Sequence, residues 1–141
     1  MLLNKFQRMK SAVLLLLLLS SCQSGNDIKI IRNYYLTSVG VDNETSISIE
    51  RDNDTRVAVD VIPASIFAYG NSNDFIIAKQ HPANFSESIQ LEVVNYSIIP
   101  LKDIISDYQD LNVIGPLKEK EFLAKKRQLD ILDNIKITTV Y

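Results

Sequence analysis

The chain has 141 residues, with 15 basic and 17 acidic side chains and one cysteine. That balance excludes the basic footprint that nucleic-acid binding requires. A single cysteine excludes an internal disulfide and a thiolate metal site, and the length suits one domain.

The first elements in chain order form an address. Met1 to Lys10 carries Lys5, Arg8 and Lys10 and no acid, and Ala12 to Leu19 is apolar, with six leucines in a row from Leu14. An apolar run of 8 residues is too short for the ~30 Å hydrocarbon layer and reads as the core of a signal peptide. Met9 as an alternative start would leave Lys10 as its only positive charge. Leu19-Ser20-Ser21-Cys22 resembles the bacterial lipobox. In that motif a thiol forms the thioether to diacylglycerol, and small residues before it fit the signal peptidase cleft. The expected organisation is a signal peptide over 1–21, lipidated Cys22 and a tether over 22–33, and one domain over 34–141. Acyl chains contribute roughly 0.8 kcal/mol per buried CH₂, so two or three of them hold a protein firmly. Gln23 follows the cysteine, and only Asp27 supplies a nearby acid. Outer-membrane attachment facing the periplasm is therefore the expected destination. Without the three bases of the leader, 12 bases face 17 acids, a net charge of −5. Electrostatic adhesion to anionic lipid is disfavoured, so attachment rests on the lipid.

Strand signals follow. Tyr34 to Val41 is β-branched and aromatic. Ile47 and Ile49 alternate with serines, and Val57, Val59 and Val61 alternate with Ala58 and Asp60 until Pro63. Asp42-Asn43-Glu44 and Asp52-Asn53-Asp54 read as turns. Ile66 to Tyr69 and Phe75 to Lys79 flank Gly70 to Asp74, which predicts a hairpin. Ile89, Leu91 and Val93 alternate in a further expected strand that reaches about Tyr96.

The period then changes. Leu101, Ile104, Ile105, Tyr108 and Leu111 share one helical face, with Pro100 just before them. Val113-Ile114 reads as a short strand broken by Gly115-Pro116. A helix is expected from about Leu117 to Leu129 and an edge strand from Ile135 to Tyr141. Strands before helices predict an α+β fold: an antiparallel sheet of five to six strands with one or two helices in the C-terminal third.

Phe75-Ile76-Ile77-Ala78-Lys79-Gln80-His81-Pro82, then Gly115-Pro116-Leu117 and a helix with Glu121-Phe122 and Lys126-Arg127, resemble a family of small bacterial lipoproteins known only as a domain of unknown function. The resemblance spans roughly Tyr69 to Ile131. It departs at Lys118, where the family tends to have a capping Thr, and in a longer Ser97 to Asn112 connection. It implies a fold and an envelope address and carries no activity.

Candidate chemistry is thin. His81, the only histidine, reads as a hairpin-end or surface residue. Asp52, Asp54 and Asp60 lack the calcium-loop pattern, because Val57 and Pro63 occupy the positions that need Gly and Glu. The triplets at Asn43, Asn53, Asn84 and Asn95 match a glycosylation pattern by chance in an asparagine-rich chain. Lys125-Lys126-Arg127 reads as a solvated helix face paired with Glu119 and Glu121. Tyr34, Tyr35, Phe67, Tyr69, Phe75 and Phe85 read as core or cross-strand pairs, or as a protein-binding patch if several share an exposed face. No catalytic residue, metal or cofactor is implied. The expected function is a non-catalytic, membrane-anchored module that binds an unknown envelope protein. The alternatives are an inhibitor or immunity-like protein and an enzyme acting on envelope polymers.

Overall fold

A computed structural model of the chain describes residues 27–38, 44–50, 58–82, 89–101 and 111–141. The alternating segments become two antiparallel sheets. The first holds β1 (Ile28–Ile31), β2 (Tyr34–Ser38), β3 (Thr45–Glu50) and β4 (Ala58–Ile62), in that order. The second holds β5 (Ile66–Asn71), β6 (Phe75–Gln80), β7 (Asn95–Pro100), β8 (Ile114–Leu117) and β9 (Ile137–Thr139), ordered β8-β7-β6-β5-β9. A helix, α1 (Glu119–Gln128), lies between β8 and β9. The class is α+β, with nine strands in two sheets among the described residues.

Side chains alternate across each sheet, and the apolar ones fall on facing surfaces. Tyr34, Leu36, Ile47, Ile49 and Ile62 from the first sheet meet Ile66, Ile76, Ala78 and Ile99 from the second. The far face of the second sheet presents Ile77 and Ile98 to Phe122 of α1 and to Ile131. The second sheet is therefore the middle of three layers, with buried apolar side chains on both faces.

Local chemistry sets the element ends. At the hairpin, the backbone N–H groups of Asp74 and Phe75 donate to Ser72 Oγ. Lys118 supplies no side-chain cap to α1, and the Glu121 carboxylate instead accepts from its N–H at 2.8 Å. The helix stops in a Schellman arrangement: Ile131 N–H donates to Lys126 O, and Asp130 N–H to Arg127 O. Asp130 takes the left-handed conformation this needs (φ 52°), and Ile131 drops into the core.

Sheet edges invite pairing with other chains, and these are blunted. Bulges interrupt β1 between Lys29 and Ile31 and the β3–β4 pairing at Ile47/Ser48. Pro116 lies in β8, and β9 has only three residues.

Three expectations change. β1 starts at Ile28, inside the stretch read as tether. Residues 89–94 are not a strand: Val93 N–H donates to Gln90 O in a turn, and the strand starts at Asn95. The alternation of Ile89, Leu91 and Val93 yields to the more apolar Ile98-Ile99 pair, which the core captures. β8 runs through Gly115-Pro116 instead of breaking there, because proline is tolerated on an edge strand. Most of the helix expected over 101–111 lies outside the described residues.

Candidate functional site

The register gives the sandwich two distinct ends. Ile28 pairs with Leu36, Ser38 with Thr45, and Ile47 with Ile62 at one end of the first sheet. Three residues then lead from Ile62 to Ile66, which pairs with Gln80, and Gln80 pairs with Asn95. These positions, with the turn at Leu91 and the terminal Tyr141, share one end. The opposite end carries Arg32, whose guanidinium donates to Asn73 O of the β5–β6 hairpin at 3.1 Å.

At the first end, polar side chains brace the crossover between sheets. Gln80 Nε2 donates to Pro63 O at 2.7 Å and to Ala64 O at 3.0 Å, and His81 N–H donates to Ser65 O. The His81 ring stacks on Phe67 with centroids 4.2 Å apart, and its Nδ1 lies 2.9 Å from Val93 O. Protonated at Nδ1, His81 donates to that carbonyl. The Gln80 side chain of the Phe75–Pro82 motif is thus committed to the crossover, and the His81 ring to partners within the second sheet's own chain segments. Around them Ile28, Leu91 and Tyr141 are 53%, 64% and 54% exposed.

The outer face of the first sheet is polar, because the residues between its inward apolar ones are Tyr35, Thr37, Ser46, Ser48 and Glu50. Ser46 and Ser48 both donate to Asp60 Oδ1, at 2.9 and 2.7 Å. A hydrogen bond with Glu50 raises the Tyr35 phenol above its ordinary value; desolvation and the carboxylate charge add to it. Lys29 Nζ sits 5.9 Å from the Tyr35 ring centroid. The serine hydroxyls and His81 have separate partners on separate sheets, so the structure does not bring them together as nucleophile and base.

The aromatics are dispersed. Tyr34 is buried in the inter-sheet core, with Tyr69 packed against it, and Phe75 packs on the α1 side. Tyr96, which the sequence reading did not single out, stacks on Phe122 at 4.7 Å with Lys79 Nζ 5.6 Å from its ring. On α1, Lys126 pairs with Asp133 at 2.6 Å, and Lys125 donates to Gln128 Oε1. Lys125 and Lys126 therefore reach toward the helix C-terminus, while Arg127 Nε donates back to Leu123 O at 3.3 Å. Asn95 is engaged by Lys118 Nζ at 3.0 Å. Leu19, Ser20, Ser21, Cys22, Asn43, Asp52, Asn53, Asp54, Asn84 and Phe85 lie outside the described residues. Among the described residues, no cluster of His, Cys, Asp and Glu is fit to hold a metal.

Comparison with curated proteins and with solved structures gave no match. A family model matches residues 31–141, which takes in all the strands from β2 onward and α1. The chain belongs to the family described as protein of unknown function DUF3997.

Proposed function

We propose that this chain is an envelope lipoprotein, held in the membrane by acyl chains on Cys22, whose domain acts by binding another envelope protein. The observation that carries the reading is the Leu19-Ser20-Ser21-Cys22 quartet directly after a charged, leucine-rich start. Acylation there would consume the only thiol. Binding is favoured over catalysis by what the candidate side chains already do: His81 ties Val93 and Phe67, and Asp60 holds two serines. The proposed position is the outer membrane, facing the periplasm. The alternatives are an inhibitor or immunity-like protein and an enzyme acting on envelope polymers.

The test is intact-mass measurement on chain extracted from membranes. The expected species begins at Cys22 and carries diacylglyceryl and acyl mass, and Cys22→Ala abolishes it. An unmodified mature chain overturns the anchor. Hydrolysis of purified peptidoglycan by the extracted chain would overturn the binding role in favour of an enzyme.

A further inference from the structure

We propose that the end of the sandwich bearing Ile28, Leu91 and Tyr141 rests on the bilayer surface, with these three side chains in the interfacial layer. The inference builds on the lipid anchor at Cys22 and goes beyond it, because an anchor alone leaves the domain free to tumble on its tether.

The first argument is reach. Ile28 opens β1, six residues after Cys22. A fully extended chain advances ~3.3–3.6 Å per residue, so this end stays within about 20 Å of the lipidated sulfur. The β1–β2 turn, with Arg32 and Asn33, lies a strand length further away.

The second argument is where the exposed apolar side chains fall. Ile28 enters β1 opposite Leu36. Leu91 sits in the turn between β6 and β7, held by Gln90 N–H to Pro82 O and Val93 N–H to Gln90 O. Tyr141 follows Val140, whose N–H donates to Phe67 O beside the start of β5. They come from three separate parts of the chain, and strand register places them at the same end of the sandwich. Folding leaves each more than half exposed, although water disfavours all of them. A tyrosine with an apolar ring and a wet hydroxyl suits the headgroup level. The opposite end presents Arg32, Asn33, Asn73 and Asp74. Ile137 is also 40% exposed there, so the rim is distinguished by three side chains that are each more than half exposed at the end nearest the anchor, next to the carboxylates Asp27 and Glu92.

The absence of tryptophan from the sequence supplies a clean test. Ile28→Trp, Leu91→Trp and Tyr141→Trp each place one reporter on the rim. Ile137→Trp places one at the far end, where Ile137 pairs with Gly70 and is 40% exposed. Each lipidated full-length variant is reconstituted in phosphatidylethanolamine–phosphatidylglycerol vesicles doped with lipids brominated near the headgroup. Intact mass confirms acylation and circular dichroism confirms folding in the same sample.

The expected result is that bromolipid at least halves the emission of two or more of the three rim reporters and leaves the Ile137→Trp reporter unchanged. Acylated, folded protein with no rim quenching, or with equal quenching at position 137, overturns the docked orientation and leaves the anchor standing. Absence of acyl mass overturns the anchor itself. Because the three rim positions are exposed and independent, loss of one variant to misfolding leaves two that decide.

Discussion

Ile76 and Ile77 are chain neighbours that serve two different cores. Ile76 is 0% exposed between the sheets, and Ile77 is 3% exposed beneath Phe122 and Ile131. The pleat sends consecutive side chains to opposite faces, and here both faces are covered. Ile76→Ala and Ile77→Ala should each cost ~2–5 kcal/mol, and Phe122→Ala ~3–5 kcal/mol. Leu123→Ala, on the exposed face of α1, should stay within about 0.5 kcal/mol. Urea melts check all four. A small effect at Ile76 or Ile77 alone would mean that one face of the second sheet is open.

Tyr34 is a case where removing a polar group should help. Its side chain is buried between the sheets, and its hydroxyl finds no hydrogen-bond partner among the described residues. Burial raises its phenol above the ordinary value, with the Arg32 charge partly opposing. Leaving a buried donor unpaired costs ~1–3 kcal/mol. Tyr34→Phe keeps the ring and should be neutral or stabilising by up to that amount. Loss of stability on this substitution would reveal a hydrogen bond that forms in solution.

Gly70 and Gly115 mark close approaches of backbone to backbone. A Cβ at Gly70 would stand 2.8 Å from Ile135 Cγ2 and from Lys136 O, where the chain crosses to form β9. A Cβ at Gly115, where φ is +153°, would stand 2.6 Å from Ser97 Oγ and 2.9 Å from Tyr96 O. Gly70→Ala and Gly115→Ala should each cost ~1–3 kcal/mol by overpacking. Amide exchange should then separate them: Gly70→Ala frees β9, and Gly115→Ala frees β8. Identical exchange maps would contradict these local contacts.

Asp60 holds Ser46 and Ser48 through one oxygen. Both serines are buried, so Asp60→Ala should leave two shielded hydroxyls without an acceptor and cost ~1–3 kcal/mol. Asp60→Asn retains an acceptor oxygen and should recover most of the loss. Equal melts for Ala and Asn would assign the effect to charge instead.

Asp133 gives a pH signature. Its hydrogen bond to Lys126 Nζ, reinforced by the ammonium charge, holds the carboxyl below its ordinary value. A depressed carboxylate contributes stability that is present above its unfolded-state value, near 3.8. That contribution is lost as pH falls from there through the lower folded-state value. Carboxyl-carbon NMR should place the Asp133 midpoint below that of an unstructured aspartate, and Lys126→Ala should return it to the ordinary range. Because the carboxylate is fully exposed, salt should weaken the shift. A midpoint unmoved by Lys126→Ala would exclude the pair.

By itself the sequence determined the α+β class, the hairpin at Gly70 to Asp74 and the terminal edge strand. Period-two alternation and turn residues are local signals, and α1 likewise followed from its composition. Tertiary structure decided what local patterns cannot encode. Ile89, Leu91 and Val93 alternate like a strand, yet a turn forms there because the core takes Ile98 and Ile99 instead. Gly115-Pro116 reads as a breaker, yet it sits in β8 because an edge strand can spare a donor. No spacing rule pairs Gln80 with Pro63 or stacks His81 on Phe67: the first contact depends on how the crossover at 63–65 turns back on β6, and the second on the shifted register of the β5–β6 hairpin. The same holds for the rim of Ile28, Leu91 and Tyr141: three scattered apolar residues in the chain become one end of a sandwich only through strand register.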